Sequence, residues 1–321
     1  MSRMNWIKSF DFFFLMRPML FFPGWNTLLA GYLVAMSDVQ IFDQIRNSMY
    51  QYYLWVGDVA LVMLAFMAAM GGCFILNQLK DVKTDQKNRK LFLLGENHVS
   101  YFWAWVESIV LLLASLLIGW MVNFRIALIL AVFISVTGYF YNFKPFKLKD
   151  RPIAGLFANM LMGWFAFAIG WLAVQNFNLN LIIGSLPYFF LNSALYLLTT
   201  IPDAAGDRTS KKITFCVRFG ERLTIRLSLL FYLISLILAM VLNGQIILII
   251  DLLALTWMIR LALTLSQENS IKAIKMAILF FSLIICLKFP LYFVVMVIVF
   301  YLTKYYYRVR FQYDYPNFKG E

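Results

Sequence analysis

Residues 54–85 read LWVGDVALVMLAFMAAMGGCFILNQLKDVKTD. From Leu54 to Asn77 this stretch carries a single charge, Asp58, and then it turns sharply polar. About 20 apolar residues are enough for a helix to cross the ~30 Å hydrocarbon core of a bilayer. The run therefore reads as a membrane-crossing helix whose end projects a charged segment into water. The pattern recurs along the chain, at about 17–36, 101–122, 126–141, 153–174, 181–201, 224–242 and 245–265. A last apolar block, 273–303, is too long for one simple span, and Lys288 and Pro290 interrupt it.

Composition agrees. Of 321 residues, 62% are apolar and 14% charged, with 32 Phe, 17 Tyr and 9 Trp. Soluble domains carry nearly twice that share of charge. A mean hydropathy of +0.76 excludes an ordinary water-soluble enzyme, a disordered chain and a nucleic-acid module. The expected fold is all-α: a polytopic transmembrane helical bundle of nine spans, or ten if the last block is a hairpin. We expect one integral-membrane domain over residues 1–321, ending in a short basic tail at 304–321. The N-terminal stretch, broken by Arg17-Pro18 and lacking a clean small-residue cleavage site, reads as retained rather than as a signal peptide. Cys73, Cys216 and Cys286 form no metal or disulfide pattern and read as packing residues.

The net charge of +12 has its own reading in a membrane protein. Of 28 Lys and Arg, 21 fall in alternate inter-span segments beginning with the N-terminus, and two, Arg46 and Arg125, fall in the others. Basic residues collect in cytoplasmic loops. The N-terminus and the loops near 80–90, 144–151 and 208–226 are thus expected to face the cytoplasm of a multi-pass cell-membrane protein. An even number of spans would put the basic C-terminal residues on that side as well.

The charged segments carry the chemistry. Asn77, Asp81 and Asp85 recur every four residues, which puts them on one helix face with a drift of ~40° per step. Asp203 and Asp207, in IPDAAGDR, repeat the spacing at the end of another outside-to-inside span. Carboxylates at helix C-termini are disfavoured by the macrodipole, and clustered ones need a counter-ion. Hard oxygen ligands suit Mg²⁺, which takes its remaining oxygens from water and substrate phosphates. Either motif alone reads equally well as solvated loop charge paired with neighbouring lysines. Two with one spacing, on one membrane face, point to a Mg²⁺–diphosphate clamp with metal ligands Asn77, Asp81, Asp85, Asp203 and Asp207. Between them in sequence lies an aromatic and basic loop, YFYNFKPFKLKDRP, with Tyr139, Tyr141, Lys144, Lys147 and Lys149. Its lysines are expected to neutralise diphosphate oxygens, as are Arg208 and Lys211 beside the second pair.

These motifs resemble those of the UbiA superfamily of intramembrane aromatic prenyltransferases. Asn77, Asp81 and Asp85 match its first motif after the second helix, and Asp203 and Asp207 its second after the sixth. Asn88-Arg89, the stretch from Ile213 to Gly220, the Tyr141–Lys149 loop and Arg17-Pro18 match further parts, so the likeness runs over about residues 12–226. Gln78 stands where many members have Asp, Ala205 where Glu is frequent, and the stretch Lys90–Asn97 follows no common pattern.

The resemblance implies Mg²⁺-dependent transfer of a prenyl group from a prenyl diphosphate to a lipophilic acceptor, commonly a phenol or quinol. It implies Asp81, Asp203 and Lys149 as catalytic residues. Asn77, Arg17, Tyr139, Tyr141, Lys144, Lys147, Arg208 and Lys211 are the implied substrate-binding residues. Tyr139, Tyr141, Phe143, Trp164 and Tyr196 are the aromatic candidates for walls that stabilise a cation. The expected partners are these two substrates and membrane lipids, with no nucleic acid and no obligate protein partner. A non-aromatic acceptor, such as a glycerol lipid or a phosphoribosyl compound, is the alternative within enzymes, and a transporter is the rival class.

Overall fold

The computed structural model describes residues 5–38, 49–87, 93–209 and 212–316; within these, the side chains of residues 5, 49–56 and 83–87 are left out of the description. The described chain is helical, with no strand among the described residues. Two short helices, Asn5–Lys8 and Asp11–Leu15, and a 3₁₀ turn, Pro18–Leu20, lead into α1 (Phe21–Asp38). Then come α2 (Met49–Lys87), α3 (Tyr101–Val122) and α4 (Phe124–Phe133), which continues as a π-helix to Phe140. After these follow α5 (Pro152–Leu172), α6 (Leu179–Thr209), α7 (Glu221–Val241), α8 (Gln245–Thr264), α9 (Gln267–Lys288) and α10 (Pro290–Phe311).

Nine of the described helical stretches are long and apolar enough to cross a membrane, and α4 with its π extension is the shorter tenth. The last apolar block is therefore a hairpin. Pro290 has no N–H to give a continuing helix, but it fits the first position of a new one, and α10 starts there. With α4 counted, the described chain has an even number of such apolar helices, ten. Asp11, before α1, is buried and accepts hydrogen bonds from Tyr306 Oη at 2.6 Å and from Arg310 Nε and Nη2 at 3.3 and 3.2 Å. The two ends of the described chain thus meet at one end of the bundle. Arg310 also reaches His98 Nδ1 at 3.3 Å, in the segment before α3. At the opposite end Arg125, which opens α4, bonds to Asn176 in the α5–α6 turn.

Helix contact follows residue size. Without water between them, membrane helices associate through close packing, which small residues allow. A Cβ on Gly170 of α5 would lie 1.8 Å from the Leu28 carbonyl oxygen, and one on Gly31 of α1 would lie 2.1 Å from that of Phe167. Helices α1 and α5 therefore touch backbone to backbone at two reciprocal points. The lipid side is left to α3, whose Phe102, Leu113 and Leu117 are exposed. On the far side, Asp251 of α8 is fully buried and accepts from Ser235 Oγ of α7 at 2.8 Å.

Candidate active site

The first motif ends the apolar part of α2. Gln78 fixes its position by donating to the Leu15 carbonyl at 2.7 Å. On the adjoining face Asn77 and Asp81 meet one cation. Lys149 Nζ lies 2.6 Å from Asp81 Oδ1, 3.0 Å from Asn77 Oδ1 and 3.1 Å from Asn142 Oδ1. An ammonium has three N–H donors, and all three are used. Its side chain is 1% exposed.

Local structure delivers Lys149 to this place. At the end of the π-turns of α4, Asn142 Nδ2 donates to the carbonyls of Thr137 and Gly138 at 3.1 and 3.0 Å. That turns the Asn142 oxygen toward the lysine. The 3₁₀ turn Leu148–Asp150 then tucks Lys149 inward, while Lys147, in a left-handed conformation, pairs with Asp150. Burial pulls the Lys149 ammonium below the usual lysine range, against the opposing pull of Asp81.

The second motif lies at the end of α6. Pro202 interrupts the helical hydrogen-bond ladder one residue before Asp203. The hydroxyls of Thr199 and Thr200 bond back to the carbonyls of Tyr196 and Leu197 at 2.7 Å. Asp207 is 2% exposed. Lys212, just past the helix, holds its Nζ 3.6 Å from Asp207 Oδ1, and its backbone N–H donates to the Asp207 carbonyl at 2.9 Å. Burial acts to lower the Lys212 ammonium, but Asp207, Asp81 and Asp203 together outweigh it and hold it above the usual range. One ammonium therefore lies in the field of both motifs, which the fold has brought together.

Beneath them opens a cavity of about 240 Å³. Phe74 lines it three residues before Asn77, and Tyr196 and Thr199 line it just before Asp203. Phe66, Phe133 and Phe281 supply further aromatic wall. Its polar groups are uncharged: Asn26, Thr27, Asn159 and Asn192, besides Tyr196 and Thr199. Asn192 Nδ2 donates to Thr27 Oγ1 at 3.1 Å, and Asn159 Nδ2 to Tyr141 Oη at 3.2 Å. Tyr141 in turn lies beside Tyr196.

Several expected site residues stand elsewhere. Tyr139 is half exposed and stacks on Phe143 at 5.5 Å, outside the cavity. Phe143 lies under the Lys80 ammonium, 4.5 Å from it, and Trp164 bonds to Ser185 at 3.1 Å. Of the five aromatic candidates, Tyr196 alone is among the residues lining the cavity. Lys144 and Arg208 are exposed, and Arg17 stands beside Tyr307 and Tyr315. Lys211 and the side chain of Asp85 lie outside the described residues. Among the described residues, no three His, Cys, Asp or Glu side chains converge as a ready metal site. The residues that sequence reasoning missed are Asn142, Asn159 and Lys212. Only the last carried a signal, its place in the Lys211-Lys212 pair beyond the second motif.

Comparison with known proteins follows this geometry. The sequence model of the UbiA prenyltransferase family matches residues 49–284. The fold is similar to that of a digeranylgeranylglyceryl phosphate synthase, with 18% identity over 90% of this chain and 98% of that one and a TM-score of 0.61. It is also similar to a UbiA homolog from Archaeoglobus fulgidus, with 18% identity, coverage of 88% and 98%, and a TM-score of 0.65. The form of that homolog bound to GPP and Mg²⁺ gives 20% identity, coverage of 86% and 99%, and a TM-score of 0.62. No curated protein matches the chain significantly.

Proposed function

This chain belongs to the UbiA prenyltransferase family, and from that premise we propose that it transfers a prenyl group from a prenyl diphosphate to a lipophilic acceptor, with Mg²⁺ as cofactor. Family membership sets the transporter aside. The observation that carries the reading is the meeting of two four-spaced carboxylate motifs, from α2 and α6, above one uncharged, aromatic-walled cavity. The solved homolog with GPP and Mg²⁺ supports it by likeness of fold.

The donor set fits the metal. Asp81, Asp203 and Asp207 supply carboxylate oxygens and Asn77 an amide oxygen, the hard donors that magnesium takes. Magnesium, when bound there, supplies neutralisation of the diphosphate charge. Asn77, Asp81, Asp203 and Asp207 would hold it.

The chain's own residues do the rest. Lys149 fixes Asn77 and Asp81 in place. The cavity takes the apolar tail and excludes water, which would otherwise capture the allylic cation. The C1–O bond breaks and its electron pair leaves with the diphosphate. A nucleophilic carbon of the acceptor then bonds to C1 and gives up a proton. The products are the prenylated acceptor, diphosphate and a proton. Phe74, Tyr196 and Phe281 line the cavity, and aromatic rings there are suited to stabilising positive charge.

For the acceptor, our reading is an aromatic or quinone precursor. A glycerol lipid is the second reading, favoured by the likeness of fold to the digeranylgeranylglyceryl phosphate synthase. The basic-residue count supports placing the motif end of this multi-pass membrane protein at the cytoplasmic face. The test uses the purified protein in lipid nanodiscs with labelled geranyl diphosphate, with and without Mg²⁺. A hydroxylated naphthalene acceptor and a glycerol-based lipid compete in one reaction read by mass spectrometry. Label on the aromatic product alone supports the first reading, and label on the lipid alone replaces it with the second.

A further inference from the structure

The two lysines at the motifs are held differently. Lys149 is 1% exposed and 2.6 Å from its carboxylate, with every N–H engaged on a side chain. It has nowhere to turn. Lys212 is 21% exposed and 3.6 Å from Asp207, and the bond that fixes it is through its backbone. Its four-carbon stem is free to swing while its Cα stays put.

We propose that Lys212 is an exchangeable counter-ion. In the free protein its ammonium balances the carboxylates of both motifs, and on substrate binding it moves to the oxygens of the diphosphate. The proposal rests on the reading of these motifs as a divalent-cation and diphosphate site. A positive charge beside the metal ligands opposes a cation that arrives alone. The same charge favours a cation that arrives with a diphosphate, whose anionic oxygens give the lysine a new partner. Lys212 thereby couples the two ligands, and such coupling is reciprocal between them. Lys149 cannot play this part, because turning away would leave Asn77, Asp81 and Asn142 without their shared donor. Lys211, which the sequence singled out, lies outside the described residues; the contact with Asp207 is made by Lys212.

The experiment measures Mn²⁺ binding by electron paramagnetic resonance, with the whole protein in nanodiscs. It is run with the metal alone and then with inorganic diphosphate added. The variants are Lys212→Met, Lys212→Gln, Lys212→Arg and Asp203→Asn. Charge removal is expected to tighten Mn²⁺ alone roughly tenfold and to cut the gain on adding diphosphate by a similar factor, within the ordinary range of coupling between sites. Lys212→Arg is expected to stay near the parent. If one charge-removing variant fails to fold, the other supplies the measurement. Unchanged or weaker Mn²⁺ binding in both Lys212→Met and Lys212→Gln, while Asp203→Asn loses it, overturns the counter-ion role and leaves the site intact. Mn²⁺ binding that does not depend on Asp203 in any background overturns the site itself, and the proposal with it.

Discussion

Replacing Lys149 with Met tests whether this residue is a buried support or a substrate contact. Methionine keeps the length of the side chain and removes the charge. Asp81 then keeps its carboxylate in a site that is 10% exposed, without the ammonium at 2.6 Å, and Asn77 and Asn142 lose a donor each. Breaking a buried ion pair from one side typically costs ~3–5 kcal/mol. At ~2–4 °C per kcal/mol, this lowers the unfolding midpoint by roughly 6–20 °C. Activity falls with it, because Asp81 is no longer aimed. Adding Asp81→Asn to Lys149→Met removes the stranded charge. The double variant should therefore recover at least ~1 kcal/mol over Lys149→Met alone, within the usual range of pairwise coupling. The assay is thermal unfolding in detergent, followed by fluorescence of the nine Trp, together with kcat and KM. A variant that melts within about 2 °C of the parent, with a raised KM for prenyl diphosphate as its only defect, would refute the buried-support argument. It would return Lys149 to the diphosphate.

Asp81→Asn and Asp203→Asn should each abolish Mg²⁺-dependent diphosphate release while leaving far-ultraviolet circular dichroism unchanged; full turnover in both would remove the metal assignment. Single cysteines at positions 83, 147 and 211 should resist a membrane-impermeant thiol reagent added outside intact cells. Labelling at any one would put parts of the shared site on opposite faces. Gly170→Ala should destabilise the bundle by ~1–3 kcal/mol, the usual cost of overpacking, because its new methyl meets the Leu28 carbonyl at 1.8 Å. An unchanged midpoint would mean that α1 and α5 are farther apart than described.

Much of this was legible in the sequence, for a physical reason. Span length is set by the bilayer, so the run from Leu54 to Asn77 reads directly. The four-residue spacing of Asp81 and Asp203 with their partners survives because helices impose it. The hairpin at Pro290 was visible as an ambiguity, which α10 resolves by docking on Asp11. What the sequence hid was depth. Lys144, Lys147 and Lys149 look alike in a basic loop, yet one is exposed, one pairs with Asp150 and one is sealed between two helices. That difference arises from the π-turns of α4 and the 3₁₀ turn at Leu148, which no short pattern announces. The cavity is equally hidden. Thr27, Asn159 and Asn192 come from three helices and meet only after packing.

The contact between Asp11 and Arg310 also sets a clock. The two residues are separated by 299 positions. At ~5–20 residues per second, a ribosome needs roughly 15–60 s to supply the second after the first. Throughout that interval the carboxylate must stay hydrated at the membrane surface, since neither Tyr306 nor Arg310 yet exists to receive it. The N-terminal segment can bond early to Gln78 through its Leu15 carbonyl, but it cannot complete its contacts as the helices leave the translocon one by one. Its tie to α10 is made only once the final helix exists.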